Sequence, residues 1–375
     1  MTKYSVSQGF EEDLLLLDKP DLSSYKPLVF GFKDKSALQK LLSEKRPEFH
    51  DQLKGQVMEL NKIRNPQKKI TAEEQELYYR KWMSEVDSVS YGLYVYYPWS
   101  NKLVHTVTKE EFIELRTSRN KHKITEDEQA KLGEATVGVI GLSVGQSVAL
   151  TMAMERSFGT LRIADFDTLE LTNLNRIRAG VSSMGLPKTI VVAREIAEID
   201  PFLNVEIFNE GVTDSNIEDF FGKDKPLELL IEECDSLPIK ILAREKAREM
   251  KIPVIMDTSD RGMIDVERFD KMENLPLLHG LCKVSGIKEL MALDPKEQME
   301  VMMGMVDFDN LSPRMKYSFG ELGKSLSTWP QLASDVIAGG GNAAKIARMI
   351  VLGEDVPSKR YYFDVSDHMQ ISNEM

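Results

Sequence analysis

From Thr136 onward, short apolar blocks alternate with amphipathic stretches of helical spacing. Val137-Gly138-Val139-Ile140, Leu161–Ala164, Val205–Phe208, Leu227–Ile231 and Val254–Met256 read as buried strands. Gln146–Ser157, Pro187–Ile199 and a stretch from Pro238 to about Met250 read as the helices between them, the second stopped by Asp200-Pro201. A parallel strand is reached only through such a crossover, so the alternation predicts an α/β fold with a doubly wound, mostly parallel sheet.

The N-terminal third lacks this rhythm. Pro27–Phe32 reads as a short strand, Lys35–Ile63 and Ala72–Met83 as helices, and Val89–Tyr97 with Lys102–Val107 as two strands around Pro98-Trp99-Ser100-Asn101. The pattern divides the chain into a smaller α+β module over residues 1–115 and an α/β domain over residues 116–375. Beyond Asp270 the sequence is less regular and methionine-rich (MEVMMGMVDF), which suits core or interface filling. Gly339-Gly340-Gly341-Asn342 stands ahead of a helix expected over Ala343–Leu352. It lacks the Gly-Lys-Ser/Thr ending of a phosphate cradle and reads as close packing.

Composition narrows the class. The 375 residues are 42% hydrophobic and 29% charged, as in ordinary globular proteins, and leave room for more than one domain. No apolar run approaches the roughly 18 residues of a membrane span. The N-terminal MTKYSVSQGFEEDLLLLDKP sets acidic residues around four leucines with no small-residue cleavage site, unlike a secretory leader. Two cysteines, Cys234 and Cys282, are too few for a disulfide framework or a four-cysteine zinc site, and a cytoplasmic setting is expected. A net charge of −12 argues against the basic face that nucleic acids require.

The chemistry gathers at the ends of the expected strands. After the first, Gly141-Leu-Ser-Val-Gly145 allows either a backbone approach to a phosphate or a tight turn with close packing. After the second stands Asp165, a carboxylate placed to accept ribose hydroxyls. Asn173, Arg176 and Lys188 follow, an amide, a guanidinium and an ammonium. Hydride transfer has no use for that set, whereas a triphosphate does. Lys188 opens its helix, where the dipole disfavours a cation, so it either meets an anionic ligand or is merely solvated. After the fourth strand, Glu232-Glu233-Cys234-Asp235-Ser236 offers Asp235 as a Mg²⁺ ligand, or Asp235 or Ser236 as a helix N-cap.

The block Ala164–Arg176 (ADFDTLELTNLNR) resembles the signature of the ThiF-like adenylyltransferases, prokaryotic relatives of ubiquitin-activating enzymes. The resemblance covers roughly residues 115–270 and implies a Rossmann-like fold that binds ATP and Mg²⁺. It implies that Asp165 binds ribose, that Asn173, Arg176 and Lys188 surround the phosphates, and that Asp235 is the magnesium-associated aspartate. Arg116-Thr-Ser-Arg119-Asn120 is similar to the family's Arg-Tyr-x-Arg-Gln element. In that element the residue matching Arg119 reaches the site of a neighbouring subunit, which implies a homodimer. From the sequence alone, Arg119 also fits a solvated helix end. Ser143 and Val144 stand where the family has central glycines, and its paired Cys-x-x-Cys motifs are missing. The surroundings of Cys282 (HGLCKVSG) do not match an acceptor motif, so a buried structural thiol is expected.

The activity implied is adenylation of a carboxylate, such as the C-terminus of a small ubiquitin-like carrier protein, a peptide or a small acid. The catalytic set is Arg176, Lys188, Asp235 and Arg119, with Gly141, Gly145, Asp165 and Asn173 completing the nucleotide site. A nicotinamide-dependent oxidoreductase and a non-catalytic nucleotide-binding scaffold are the competing readings.

Overall fold

The computed structural model describes residues 21–369. The leucine run of the N-terminus, on which the expectation of no secretory leader rests, lies outside the described residues. The chain divides into two units, one holding residues 21–61 and 68–108 and the other residues 62–67 and 109–369.

In the first unit, β1 (Leu28–Phe30), β2 (Glu48–Asp51), β3 (Leu93–Tyr97) and β4 (Lys102–Thr106) form a sheet ordered β1-β3-β4-β2. β3 and β4 make the expected hairpin, with Val95 opposite Val104. β2 is a correction to the sequence reading. The helix expected over Lys35–Ile63 is two helices, Lys35–Lys45 and Leu53–Arg64, and β2 runs between them parallel to β4. Arg46 takes a left-handed φ of 46° and Pro47 follows, which together end the first helix. Leu53, Val57 and Leu60 of the second recur on one face and are buried, as are Val95 and Leu103.

The second unit is built on β5 (Thr136–Ile140), β6 (Thr160–Ala164), β7 (Asn204–Phe208), β8 (Leu229–Glu232), β9 (Val254–Asp257), β10 (Met263–Glu267) and β11 (Lys359–Tyr362). Their order is β11-β10-β9-β8-β5-β6-β7, parallel from β9 through β7 and antiparallel at the β10 and β11 edge. This is the expected doubly wound α/β sheet. The chain leaves β5 toward β6 on one side and returns to β8 on the other, so a crevice opens where the winding reverses, outside the carboxyl ends of β5 and β8. Every residue of β5, β6 and β8 is buried, as strands covered on both faces require. β10 (MIDVE) escapes a reading by apolar pattern because two carboxylates interrupt it. Both are buried on cationic partners, Asp265 on Arg360 (2.6 Å) and Glu267 on Arg244 (2.6 Å).

The glycine run near residue 340 requires a second correction. It lies inside a helix, Ala333–Leu352, rather than ahead of one. A Cβ on Gly340 would lie 2.6 Å from Ser147 Cβ, on the helix Gly145–Glu155, so the glycines let two helices meet closely. The packing reading of the run holds although its boundary does not. The methionine-rich stretch lies mostly in the helix Pro295–Met305, capped by Asp294, with Val301 and Met305 buried. Among the described residues, no helix is long and apolar enough to cross a membrane.

Candidate functional site

The crevice at the winding reversal is a cleft partly open to solvent. Its walls include Gly141, Ser143, Asp165, Phe166, Lys188, Glu233 and Asp235.

Gly141 has φ 85°, and a Cβ there would lie 2.5 Å from the backbone nitrogen of Cys234. The loop after β5 therefore lies hard against the end of β8, which only glycine permits. Gly145 sits behind this wall, where a Cβ would lie 2.7 Å from Val139 Cγ1, so it fastens the following helix to β5. Of the two readings left open for these glycines, close packing accounts for both, and Gly141 also borders the cleft.

Asp165 braces the same loop. Its Oδ2 accepts the Leu142 N–H at 2.7 Å and its Oδ1 accepts the Asp167 N–H at 2.8 Å. Burial pushes its carboxyl above the usual range, opposed by Lys188 and the two backbone bonds. Each oxygen keeps a lone pair for a further donor.

Lys188 opens the helix Lys188–Ile199 and is only 5% exposed, which overturns the reading of a solvated lysine. Its Nζ donates to Asp167 Oδ2 at 2.8 Å and to Ser143 Oγ at 3.4 Å. Arg176 approaches from the other side, with Nη2 3.2 Å from the same Ser143 Oγ and Nη1 3.0 Å from Asn175 Oδ1. Its Nε is buried with no hydrogen-bond partner among the described residues. Burial depresses the Arg176 pKa, and the charge of Asp235 opposes that shift. Asn173 is buried in the turn Leu171–Asn175, where its Oδ1 accepts the Glu170 N–H at 3.0 Å. It shapes the segment carrying Arg176 and does not line the cleft.

Asp235 is exposed on the cleft wall. The N-cap position of the helix Leu237–Glu249 falls to Ser236, whose side chain makes no capping bond, so the capping role considered for Asp235 is not the one it fills. Arg119 is exposed in the turn after the helix Lys109–Thr117 and does not line the cleft of its own chain. Its neighbours have a task that sequence reasoning missed. Arg116 Nη2 donates to the carbonyls of Ala153 (3.2 Å) and Met154 (3.0 Å), and Asn120 Nδ2 donates to that of Glu155 (3.0 Å). They satisfy the carbonyl end of the helix whose start forms the glycine loop.

Three further cleft residues were not singled out from the sequence. Ser143 was visible only as a side chain where glycine was expected. Phe166, 71% exposed, was hidden inside the aspartate-rich block. Glu233 is buried, and its Oε1 accepts the Asp257 N–H at 2.8 Å; burial, then the charge of Asp257, push its carboxyl well up. At the end of β8, Glu232 is clasped by Lys240 (3.0 Å) and Arg244. Cys282 is 3% exposed and its thiol is pushed up to about 12 by burial, as a structural thiol should be. Cys234 borders the cleft, and burial raises its thiol well above the ordinary value.

Comparisons with known proteins agree with this architecture. Residues 117–272 match the ThiF family model. An uncharacterized protein of Mycobacterium tuberculosis, MT1398, is 41% identical over 273 residues, 73% of this chain and 38% of its own length. The tRNA threonylcarbamoyladenosine dehydratase of Bacillus subtilis is 29% identical over 153 residues, 40% of this chain and 59% of that one. The molybdopterin-synthase adenylyltransferase of Haemophilus influenzae is 24% identical over 159 residues, 42% of this chain and 64% of that one. The chain thus spans less than two thirds of each of these relatives. The stretch that matches the ThiF family model, residues 117–272, holds every residue that lines the cleft.

Proposed function

We propose that the cleft binds ATP with Mg²⁺ and transfers AMP to a carboxylate. The observation that carries this reading is the Arg176 Nε, a buried guanidinium donor with no partner, set beside a second buried cation. An unpaired buried donor is costly, and a phosphate oxygen is the acceptor that a planar guanidinium fits best. One relative points the same way through its name, the molybdopterin-synthase adenylyltransferase.

In this reading, Asp165 accepts ribose hydroxyls on its remaining lone pairs, and Asn173 fixes the turn that presents Arg176. Gly141 lets the loop clear the nucleotide path, and Gly145 anchors the helix behind it. Among the described residues no group of three or more His, Cys, Asp and Glu side chains is suited to a metal. A single open carboxylate, Asp235, is a donor set that fits Mg²⁺, which takes one or two carboxylates and completes its shell with phosphate and water. Bound there, Mg²⁺ would neutralise charge on the departing pyrophosphate.

A carboxylate oxygen bonds to the α-phosphorus, the bond from that phosphorus to its bridging oxygen breaks, and pyrophosphate leaves with the electron pair. Arg176 and Lys188 stabilise charge growing on the phosphate oxygens and hold the chain in line. No general base is required, since a carboxylate is already ionised at neutral pH. Arg119, exposed and away from its own cleft, is delivered in this reading by a second copy of the chain. The acyl substrate is the C-terminus of a small ubiquitin-like carrier or a peptide, or a small acid, with the N-terminal unit as its recognition module. With Cys282 buried, the acyl group passes directly to its acceptor.

The test is exchange of labelled pyrophosphate into ATP across a panel of peptide C-termini and small acids, with ATP–Mg²⁺ and NADH titrated in parallel. Exchange that Asp235→Ala abolishes is expected, and tighter binding of NADH would replace the reading with hydride transfer. An equal mixture of Arg119→Ala and Asp235→Ala proteins should recover activity that neither has alone. Failure to recover would remove the contribution of the second copy.

A further inference from the structure

The structure sets the Ser143 hydroxyl on the cleft wall, 3.2 Å from Arg176 Nη2 and 3.4 Å from Lys188 Nζ. We infer that Ser143 is a third anion-binding group of the cleft, its O–H donating to a phosphate oxygen that Arg176 and Lys188 bind at the same time. The inference rests on the reading of the cleft as a triphosphate site, though its chemistry requires only an oxyanion.

A hydroxyl has two acceptor lone pairs and one donor proton. Arg176 Nη2 at 3.2 Å and Lys188 Nζ at 3.4 Å can only donate, so both lone pairs of Ser143 Oγ face cations. The proton is thereby turned away from both. Ser143 lines the cleft, and its O–H makes no hydrogen bond among the described residues. The vacant donor belongs to a side chain of the cleft wall, where an anion can approach it. A glycine would leave the two cations with no shared acceptor, and an alanine would supply bulk without the dipole.

The loop's own amides explain why a side chain is useful here. The N–H of Leu142 is already committed to Asp165 Oδ2 at 2.7 Å. Asp165 thus withdraws one backbone donor from the phosphate path, and the Ser143 hydroxyl supplies another. An oxyanion in the cleft then meets two donors of different kinds on its wall, the Lys188 ammonium and the Ser143 hydroxyl, with the Arg176 guanidinium 3.2 Å from the same hydroxyl oxygen.

Ser143→Ala, Ser143→Thr and Ser143→Gly proteins are titrated calorimetrically with ATP–Mg²⁺ and, separately, with inorganic tripolyphosphate. Loss of a hydrogen bond to a charged oxygen should weaken both by about tenfold in Ser143→Ala. Threonine should restore most of the affinity, and glycine should not. Melting temperatures should stay level across the three, separating lost binding from lost structure. Unchanged tripolyphosphate affinity in Ser143→Ala overturns the inference even if pyrophosphate exchange persists. Wild-type protein that binds tripolyphosphate but not ATP overturns the adenylation reading and leaves Ser143 its role, while binding neither overturns both.

Discussion

Arg176 and Lys188 come from separate segments and converge on one oxygen of the cleft wall, Ser143 Oγ, at 3.2 and 3.4 Å. They are not equivalent. Lys188 is matched by Asp167 at 2.8 Å, whereas among the described residues Arg176 donates only to the neutral oxygens of Ser143 and Asn175 and leaves Nε unpartnered. A half-buried cation without a bonded anion is a liability to the folded state that ligand binding would relieve.

Arg176→Leu should therefore lower ATP–pyrophosphate exchange by about 10²–10³-fold, the usual loss for one electrostatic donor. Its melting temperature should stay level or rise, because the substitution removes a desolvated charge. Calorimetry of the unliganded proteins checks the second half. A clear fall in melting temperature would mean that Arg176 serves the fold.

The strand–helix rhythm displayed the parallel half of the large sheet, because strands buried on both faces must be continuously apolar. It did not display β10, whose Asp265 and Glu267 are buried on cations supplied by Arg360 and Arg244. Nor did it show β2, which a left-handed Arg46 and Pro47 free from the helix before it. At the site, Asp165, Lys188 and Asp235 were legible because each stands at a strand or helix end, where position fixes access. Ser143 was not, since its importance lies in what points at it, and that depends on residues distant in the chain.

Burial raises the Asp257 carboxyl to about 7, with the charge of Asp335 adding and the Ser259 N–H opposing. Its Oδ2 is buried without a partner, and the raised Glu233 carboxyl lies beside it. The folded-state pKa lies above the unfolded one, so between about 4 and 7 the unfolded chain binds fewer protons and stability falls as pH rises. Asp257→Asn should gain on wild type across that window by up to a few kcal/mol, with no further gain above pH 7. Urea unfolding of both proteins from pH 4 to 8 measures the difference. A gap that does not change with pH would show Asp257 to be ionised throughout.

Gly340→Ala adds a Cβ that would lie 2.6 Å from Ser147 Cβ and 3.0 Å from Ser147 backbone carbon. Helix propensity alone favours alanine by roughly 1 kcal/mol, but the clash forces apart the helices Gly145–Glu155 and Ala333–Leu352, at about 1–3 kcal/mol. Net destabilisation is expected, together with weaker nucleotide binding, since the first of these helices carries the glycine loop. Thermal unfolding decides it, and a more stable variant would show that the helices have slack.

Cys282 is buried, and its Sγ donates to the Val301 carbonyl at 3.2 Å. A thiol held near 12 contributes almost no thiolate at pH 8. Disulfide reagents should leave Cys282 intact in folded protein and modify it promptly in urea, and Cys282→Ala should retain pyrophosphate exchange. Prompt stoichiometric modification of the folded chain at this residue, with loss of exchange, would restore it as an acyl acceptor.

Arg244 is fully buried and joins two strands, donating to Glu232 on β8 and to Glu267 on β10 at 2.6 Å. Burial alone would push the Glu232 carboxyl up, but Lys240 and Arg244 outweigh it and hold it at about 2. A depressed pKa contributes stability above the unfolded value, lost as pH falls through the folded one. Arg244→Met leaves two buried carboxylates facing an apolar side chain and should cost about 3–5 kcal/mol near pH 7. The deficit should shrink below pH 4, where both carboxylates can protonate. Adding Glu267→Gln to Arg244→Met should recover part of the loss at neutral pH, because it removes one orphaned charge. Guanidinium unfolding at pH 7 and pH 3.5 gives both comparisons. A deficit equal at the two values would assign the role of Arg244 to packing volume rather than charge.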